Sequence, residues 1–286
     1  MKYCLSTYSY GGYLSQFGID GVIRKTAELG FDGIEFAQDE WFDHATDEEL
    51  RRIGGVARQA GLTCVNLCVN GDMLNGSDAN LDAEVERICR YVDKAVLLGV
   101  PMMRHDAAHM ISGRKHGIGF SANLDRIAEG CRRITEYAAT RGIRTLTENH
   151  GYFSQDADRV SMLIDRVNHP NFGALVDIGN FGDVDEIPAL SVSRLAPYAY
   201  HVHCKDCLVK KGTEINPGEC WYQTRGGNYC RGTIIGHGDF CVSQSLGTLK
   251  RLGYDGYLSV EYEGIEDALH GIRISLDNLK RFWDMA

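Results

Sequence analysis

The hydrophobic residues of the chain follow two alternating spacings, one typical of helices and one typical of short buried strands. In two stretches the apolar residues recur every three or four positions, so they would share one face of a helix. These residues are Leu81, Val85, Ile88, Val92 and Ala95 in the first stretch and Leu124, Ile127, Cys131 and Ile134 in the second. Thr46 and Glu49 have the spacing of a capping box, which predicts the start of another helix.

A phrase that joins a helix to a strand occurs twice in the sequence. "LGFDGIEF" spans residues 29–36 and "LGYDGYLSVE" spans residues 252–261. Each phrase contains a Leu-Gly helix end, an aromatic residue, an Asp-Gly turn and a short apolar run. Weaker versions begin at Gln59, Leu97 and Thr140. Because glycine readily adopts the left-handed conformation that ends many helices, each phrase indicates a helix followed by a strand.

Eight apolar runs are candidates for strands, and helical stretches alternate with them. The runs are "YCLSTY", "GIEF", "TCVNL", "PMMRH", "RTLTE", "GALVD", "AYHVHC" and "YLSVEY". Strands that alternate with helices indicate a parallel sheet, and eight repeats predict a closed barrel. We therefore predict an α/β fold with a single (β/α)8 TIM-barrel domain over residues 1–286. An open doubly wound sheet is the alternative, but it would usually show a glycine-rich phosphate loop after the first strand.

Composition and charge narrow the class of protein. Hydrophobic residues make up 44% and charged residues 24% of the 286 positions, as in globular proteins, and no apolar run reaches about 18 residues. Because the first residues show no secretory signal, we expect a cytoplasmic protein without a membrane partner. The net charge of −9 disfavours nucleic acid as a partner, since its phosphates are also negative.

The ten cysteines are expected to be reduced thiols, because disulfides are rare in the cytoplasm. Cys204 and Cys207 have the Cys-x-x-Cys spacing of a zinc or redox pair, but no second pair completes a four-sulfur zinc site. Cys204 also follows His203 on a predicted strand, so these two side chains should point to opposite faces. We therefore interpret the cysteines as small apolar residues.

Four neighbouring predicted strands each end in a residue that can bind a metal. These residues are Glu148, Asp177, His203 and Glu261, on the fifth to eighth strands. The C-terminal ends of barrel strands meet on one rim, where the active sites of TIM barrels lie. Three carboxylates that converge there would repel one another unless a cation lay between them. The sequence therefore predicts one divalent metal ion bound by these four residues.

Three carboxylates and one imidazole form a mostly hard set of ligands. Such a set favours Mn²⁺, and it also suits Mg²⁺ or Co²⁺. Zn²⁺ in an open catalytic site is a further option, whereas a structural zinc ion prefers thiolates and a closed tetrahedral arrangement.

Three features of the sequence resemble the sugar phosphate isomerase/epimerase family of the xylose isomerase-like TIM-barrel superfamily. They are the Glu…Asp…His…Glu series, "HVHCKD" at 201–206 and "GHGDF" at 236–240. The family includes ketose 3-epimerases, inosose dehydratases and 3-dehydroshikimate dehydratases, and the resemblance covers essentially the whole chain. It implies one divalent metal ion on the four strand-end residues. In the epimerases, the two glutamates of this set also exchange protons on opposite sides of the substrate.

The resemblance implies an isomerase or epimerase that acts on a small sugar, polyol or keto-sugar by proton transfer at carbon. A metal that holds a carbonyl and a neighbouring hydroxyl acidifies the adjacent C–H bond, and a carboxylate can then take the proton. Glu148 and Glu261 are the expected catalytic pair. Glu263 is expected to turn away from the metal, because Gly264 ends the strand.

Six further residues are expected to contact the substrate. They are His105, Asn180, Lys205, Asp206, Arg231 and His237. Lys205 and Asp206 match the Lys-Asp pair of the family. The sequence departs from the family at Asn180, where many members have histidine, and at His237, where the usual residue is glutamate. Both departures lie near the expected substrate, so they leave the reaction open.

Residues 207–240 form the one long irregular stretch of the sequence, directly after the seventh strand. Because loops on this face of a barrel shape active sites, we expect the stretch to cover the rim. Trp221 and Tyr222 would then stack on a sugar or anchor the loop.

Other polar residues lie near the ends of the second, third, fourth and seventh strands. Period-two alternation with His105 facing inward would make Arg104 face outward. Glu35 and Asn66 are expected either to brace the barrel or to touch the substrate. His201 is expected to be a packed, hydrogen-bonded residue below the metal.

Three other activities agree with parts of the sequence. One is a dehydratase of the same fold that acts on an inosose or a dehydroshikimate-like compound. Another is a DNA-repair endonuclease with His105, His150 and His237 as extra metal ligands, although the acidic charge argues against it. A third is a metal-binding subunit that works only with a partner chain. The sequence does not identify the substrate, and it is compatible with a homo-oligomer.

Overall fold

The computed structural model describes residues 1–109 and 119–286, and a closed barrel of eight parallel strands lies at its centre. The barrel strands are β1 (Lys2–Ser6), β2 (Gly33–Ala37), β3 (Thr63–Val69), β4 (Met102–His105), β5 (Arg144–Glu148), β6 (Phe172–Asp177), β7 (Ala199–Cys204) and β11 (Tyr257–Val260). Three further strands lie outside the barrel: β8 (Asp206–Lys210), β9 (Tyr222–Gln223) and β10 (Tyr229–Thr233). Strands β1 to β7 follow one another around the barrel, and β11 closes it by pairing with β7 and β1. The predicted TIM barrel is confirmed.

Helices occupy most of the connections between the barrel strands. They are α1 (Gly12–Glu28), α2 (Glu40–His44), α3 (Asp47–Gln59), α4 (Gly76–Ala79), α5 (Leu81–Leu98), α6 (Phe120–Thr140), α7 (Ala157–Val167), α8 (Asn180–Asp183), α9 (Pro188–Leu195), α10 (Val242–Arg251) and α11 (Ala268–Met285). Short 3-10 turns span Thr7–Tyr10 and Ala196–Tyr198. Among the helices described, none is long and apolar enough to cross a membrane.

The local signals in the sequence set the ends of these helices. Thr46 accepts the backbone N–H of Glu49, and the Glu49 carboxylate accepts the backbone N–H of Thr46, so the predicted capping box starts α3. Helix α5 ends at Gly99, whose φ of 80° lies in the left-handed region that favours glycine. The predicted apolar face of α5 is buried against the barrel, which explains why this stretch folds as a helix there.

Two separate apolar layers support the barrel. The larger layer lies between the strands and the surrounding helices. A small cluster of Cys68, Met102, Leu146 and Leu175, contributed by β3, β4, β5 and β6, packs together in the second layer. Residues two positions apart on a strand point to the same face of the sheet. Arg104, Glu148 and Asp177 each lie two positions after a residue of this cluster, so their side chains point into the barrel as well.

The stretch after β7 differs from the irregular loop that the sequence predicts. Strands β8, β10 and β9 form a small antiparallel sheet, in which Arg231 lies opposite Leu208. Its strands are short, and β9 has only two residues, so hydrophobic alternation cannot show it. The Asp206 carboxylate fixes one end of this segment by accepting four backbone N–H groups, those of Cys207, Gly236, Gly238 and Phe240.

All ten cysteines are free thiols. Cys204 is fully buried in the layer between strands and helices, whereas Cys207 packs with Cys230 and Phe240 in the small sheet. The two cysteines of the Cys-x-x-Cys pair therefore lie in different packing clusters. Cys204 packs towards the helices whereas the neighbouring His203 faces the barrel interior, as alternation along the strand predicts.

Candidate metal centre and active site

Four side chains converge at the C-terminal rim of the barrel. Glu148 ends β5, Asp177 ends β6, His203 lies on β7 and Glu261 directly follows β11. One ligand atom from each of these buried residues lies within 4.8 Å of the corresponding atoms of the other three. The residues that the sequence predicts as metal ligands are thus brought together.

The His203 ring presents one nitrogen to this group of carboxylates. Its Nε2 donates a hydrogen bond to Glu35 Oε1 at 2.7 Å. Its Nδ1 lies 3.4 Å from Glu261 Oε1, 3.7 Å from Glu148 Oε1 and 3.8 Å from Asp177 Oδ2. Burial opposes a charge on His203, but the Glu35 and Glu261 carboxylates outweigh it and hold the pKa of His203 well above its usual value, so the ring is protonated when no metal is bound. With a cation in the cluster, Nδ1 would lose its proton and offer its electron pair, while Nε2 keeps its hydrogen.

Several polar atoms of this cluster are buried without a hydrogen-bond partner. They include His203 Nδ1 and also Asp177 Oδ2, which has only the longer ion-pair contact of 3.4 Å with Lys205 Nζ. Burial of unpartnered polar atoms is costly, and a divalent cation among these atoms would remove that cost. The donor set of three carboxylates and one imidazole suits such a cation, so these residues fit a bound metal ion.

Burial and charge shift the pKa values of the four residues in different directions. Burial raises the pKa of Asp177 to about 8; Lys205 opposes this increase, whereas the neighbouring Glu261 and Glu148 carboxylates add to it. Burial also opposes ionisation of Glu148 and Glu261, but nearby cations outweigh it and lower both pKa values. The cations are mainly Arg104 for Glu148 and the protonated His203 for Glu261. Without a metal, one carboxyl group of the cluster thus keeps a proton more readily than the others.

Lys205 lies among three carboxylates. Its Nζ is 3.2 Å from Glu261 Oε2, 3.3 Å from Glu263 Oε2 and 3.4 Å from Asp177 Oδ2. The expectation that Glu263 turns away from the site is wrong, because this ion pair draws the side chain back over the strand end. Although burial favours the neutral amine, the surrounding carboxylates hold the pKa of Lys205 well above its usual value.

Strand β4 has the opposite orientation to the one predicted. Arg104 faces the cavity, with Nε 2.8 Å from Glu148 Oε2 and Nη1 3.1 Å from Asp106 Oδ1. His105 faces outward and lies near the ring of Phe172, so it is not placed to contact a substrate. Burial lowers the pKa of His105 to about 4. The buried carboxylates explain this orientation, because they compensate the Arg104 charge inside the barrel.

Two histidines extend the polar cluster beyond Arg104. His150 Nδ1 lies 3.1 Å from Asp106 Oδ1, and His109 Nε2 lies 3.7 Å from Asp106 Oδ2. Asp106 is almost completely buried. Burial lowers the pKa of His150, but the Asp106 carboxylate outweighs this effect and raises it to about 9.

A cavity of about 230 Å³ opens above this cluster of four residues. It is lined by Ser6, Tyr8, Ala37, Gln38, Cys68, Asn70, Arg104, Glu148, His150, Asn180, Lys205, Glu261 and Glu263. An adjoining chamber of about 440 Å³ shares His150, Asn180, Lys205 and Glu263 with it. The outer chamber also contains Asp183 and Tyr222, whose hydroxyl donates to Asp183 Oδ1 at 2.8 Å.

Two of the six residues predicted to contact substrate line this cavity. Asn180 donates its side-chain amide to Glu148 Oε1 at 2.9 Å, and its backbone N–H donates to Asp177 Oδ1. Lys205 is the second. His105 faces outward, as described above, and Asp206 does not line this cavity, because its carboxylate accepts backbone N–H groups of the turn after β10.

The other two predicted contacts lie outside both chambers. The Arg231 guanidinium lies 5.5 Å from the centre of the Trp221 ring, and His237 is exposed in the turn after β10. Neither lines the cavity or the outer chamber. Of the segment 207–240, Tyr222 is the aromatic residue that reaches the outer chamber, so the predicted contribution of Arg231, Trp221 or His237 is corrected.

The sequence prediction missed several residues of the cavity. Gln38 and Asn70 directly follow β2 and β3, and both line it. Their position after a strand was a usable signal, because polar strand ends on one rim meet in a barrel. Arg104 is missing from the prediction because an inward His105 puts Arg104 on the outer face, and His150 enters the prediction only as an extra metal ligand of the endonuclease alternative. Within the described residues, the four-residue metal cluster contains none of His105, His150 and His237.

Comparisons with known proteins agree on the fold. A family model described as "Xylose isomerase-like TIM barrel" matches residues 23–282. A probable 3-DHS dehydratase from Bacillus anthracis is 18% identical, with a TM-score of 0.75 over 98% of this chain and 99% of that one. A D-psicose 3-epimerase from Clostridium cellulolyticum H10 is 16% identical, with a TM-score of 0.75 over 99% of each chain. An L-ribulose 3-epimerase is 14% identical, with a TM-score of 0.77 over 100% of this chain and 95% of that one. No curated protein matches.

Proposed function

The chain belongs to the xylose isomerase-like TIM barrel family, as its sequence motifs indicate, and we propose that it is a metal-dependent isomerase or epimerase of a small carbohydrate. The convergence of Glu148, Asp177, His203 and Glu261 around a common point is the observation that carries this proposal. These residues would hold one divalent ion, with Mn²⁺ the expected metal. When bound, the metal would polarise a substrate carbonyl and acidify the neighbouring C–H bond.

Glu148 and Glu261 are the proposed acid–base pair. They come from β5 and from the end of β11, which β6 and β7 separate in the barrel. Both line the cavity above the cluster, so both can reach a substrate there. Arg104 lies 2.8 Å from Glu148 and Lys205 lies 3.2 Å from Glu261, and these cations favour the carboxylate form that a general base requires.

The charges of the two chambers favour an uncharged substrate with several hydroxyl groups. Among the described lining residues, Arg104, Lys205, His109 and His150 each lie within 4 Å of at least one carboxylate. Asp183 and Glu263 add negative charge to the outer chamber, which would repel a phosphate group. Carboxylate, amide and phenol groups can instead exchange hydrogen bonds with sugar hydroxyls. A neutral sugar, polyol or keto-sugar therefore fits the site.

A dehydratase is the second candidate, and the Asp106–His150 pair favours it. His150 lines both chambers and is oriented by a buried carboxylate, which is the arrangement of a general acid. Such an acid could protonate a departing hydroxyl group after a carboxylate has removed the proton from carbon. The two reactions share the first step and differ in whether water leaves.

Incubation of the metal-loaded protein in D2O with ketoses, inososes and 3-keto sugars would test the proposal, with NMR and mass spectrometry of the products. We expect deuterium at one carbon of an isomerised or epimerised product. An unsaturated product with loss of water would instead establish the dehydratase. Turnover without any solvent deuterium would contradict proton transfer at carbon, and turnover by the isolated chain would exclude the need for a partner chain.

A further inference from the structure

We infer that Glu35 is a positioning residue that sets which nitrogen of His203 faces the metal cluster. Glu35 lies on β2, is fully buried and does not line the cavity above the cluster. Its Oε1 accepts the hydrogen of His203 Nε2 at 2.7 Å. The inference rests on the proposed metal centre, but Glu35 itself is outside the set of four ligands.

The contact spans the interior of the barrel. Strands β2 and β7 are not neighbours, because β1 and β11 lie between them. Two further groups hold the Glu35 carboxylate from below: Asn66 Nδ2 donates to Oε2 at 3.0 Å, and His201 Nε2 lies 2.8 Å from the same oxygen. A fully buried carboxylate that is held at both oxygens has little freedom to move, so it is a fixed acceptor for His203.

Glu35, His201 and His203 also form a group of potential metal ligands, but the contact between Glu35 and His203 is a hydrogen bond. Its nitrogen–oxygen distance of 2.7 Å is that of a charge-assisted N–H···O contact, whereas His201 Nε2 lies 2.8 Å from Glu35 Oε2 without hydrogen-bond geometry. A carboxylate oxygen has no hydrogen to donate, so His203 Nε2 must carry the hydrogen in this contact. Nδ1 is thus the nitrogen that would lose its proton to a metal ion, and its position 3.4 Å from Glu261 Oε1 places it at the cluster.

Glu35→Gln tests this inference because it replaces one acceptor oxygen with an amide donor. Asn66 Nδ2 already donates at the Oε2 position, which favours an amide oxygen there and an NH2 group towards His203. His203 Nε2 would then become the acceptor, the hydrogen would move to Nδ1, and a metal could no longer bind that nitrogen. We expect the affinity for Mn²⁺ to fall about 10- to 100-fold.

The matched control is Glu84→Gln, which removes the charge of another nearly fully buried carboxylate. Glu84 binds Arg87, Ser77 and the Asp72 backbone N–H. Isothermal titration calorimetry of the metal-free proteins with Mn²⁺ should show a normal affinity for this control. Equal affinity of Glu35→Gln and the wild type would overturn the inference, whereas a wild type that binds no metal would overturn the proposed metal centre.

A measurement on the wild type decides the inference even if Glu35→Gln does not fold. Nitrogen-15 NMR of the metal-free protein should show a low-field, exchange-protected hydrogen on His203 Nε2, because that hydrogen is bonded to a buried carboxylate. After addition of Mg²⁺ or Zn²⁺, which are diamagnetic, the hydrogen should remain on Nε2 and the Nδ1 signal should shift. A hydrogen found on Nδ1 alone would show that Glu35 does not set the tautomer.

Discussion

Lys205 Nζ lies 3.2 Å from Glu261 Oε2, and His203 Nδ1 lies 3.4 Å from the other oxygen of the same carboxylate. The lysine therefore stabilises a charge that the barrel interior would otherwise disfavour. Since Lys205 is also paired with Glu263 and Asp177, one cation serves three carboxylates. Glu263 shares this lysine with Glu261 but is not one of the four clustered residues, so variants of the two glutamates can distinguish loss of rim charge from loss of a metal ligand.

Glu261→Gln should retain metal binding better than turnover. The amide oxygen can remain a ligand, but glutamine cannot take a proton from carbon. We expect turnover to fall by about 100-fold or more, as for the loss of a general base. Comparison of kcat with Mn²⁺ affinity checks this, and solvent deuterium should no longer enter the product. If Glu261→Gln kept full turnover, Glu261 would be at most a metal ligand and not the general base.

Glu263→Gln is the control for the change of charge near Lys205. It removes a carboxylate 3.3 Å from the same nitrogen, but Glu263 is not one of the four clustered ligands. Its Mn²⁺ affinity should stay close to that of the wild type. A similar loss of affinity in both variants would indicate that charge at the rim, and not ligation by Glu261, governs metal binding.

Asp177→Asn should weaken metal binding by more than about 10-fold, because a charged ligand becomes neutral. The asparagine oxygen can still accept the Gly179 and Asn180 N–H groups, so the fold should persist. In the wild type, free Mn²⁺ at 100 times its Kd should stabilise the folded protein by about 2.7 kcal/mol. Thermal unfolding with Mn²⁺ and with a chelator measures both effects. Asp277→Asn, at an exposed site, should behave as the wild type.

His105 should make the protein less stable in acid. Burial lowers its pKa from 6.5 to about 4, so the unfolded chain binds more protons between these values. The free energy of unfolding should therefore fall as the pH drops from about 6.5 to about 4, by on the order of 3 kcal/mol from this group. Urea unfolding across this range should show a smaller pH slope for His105→Gln, whereas exposed His44→Gln should keep the wild-type slope.

Asp206→Ala should destabilise the small sheet and the turn after it. The substitution leaves four backbone N–H groups without their acceptor, and each buried unsatisfied donor costs about 1–3 kcal/mol. Partial solvation should limit the total loss to about 3 kcal/mol, with faster proteolysis within residues 207–240. Asp284→Ala, at an exposed site in α11, is the control. Unchanged stability and proteolysis of Asp206→Ala would show that the carboxylate does not anchor the segment.

The barrel and its four converging strand ends were predictable from the sequence for a common reason. Helical spacing and glycine-terminated helices repeat along the chain, and the resulting parallel strands bring their ends to one rim. This rule alone is enough to place Glu148, Asp177 and His203 at the rim, because each lies at or next to the end of an apolar strand. Glu261 could be placed in the same way even though it lies one residue beyond β11.

The rest depended on contacts that alternation does not encode. Arg104 and His105 are adjacent polar residues at one strand end, and only the carboxylates around Arg104 determine which faces inward. Glu263 is drawn to the rim by Lys205, which comes from a different strand. Asp206 is used by backbone groups about 30 positions further along the chain. Charge compensation and backbone hydrogen bonding between distant segments fixed all of these positions.

The hydrogen bond between Glu35 and His203 joins residues 168 positions apart, and Glu261 follows the strand that pairs with β1. Contacts of such separation require the ends of long chain segments to meet, so they form late and contribute to slow folding. The four clustered residues lie on or directly after the adjacent strands β5, β6, β7 and β11, so they can meet before the barrel closes. The contact of Glu35 with His203 instead reaches across β1 and β11, so it needs the closed ring. Under the proposed function, an open barrel would already gather the carboxylates, but the orientation of the imidazole would be set only when the first and last strands pair.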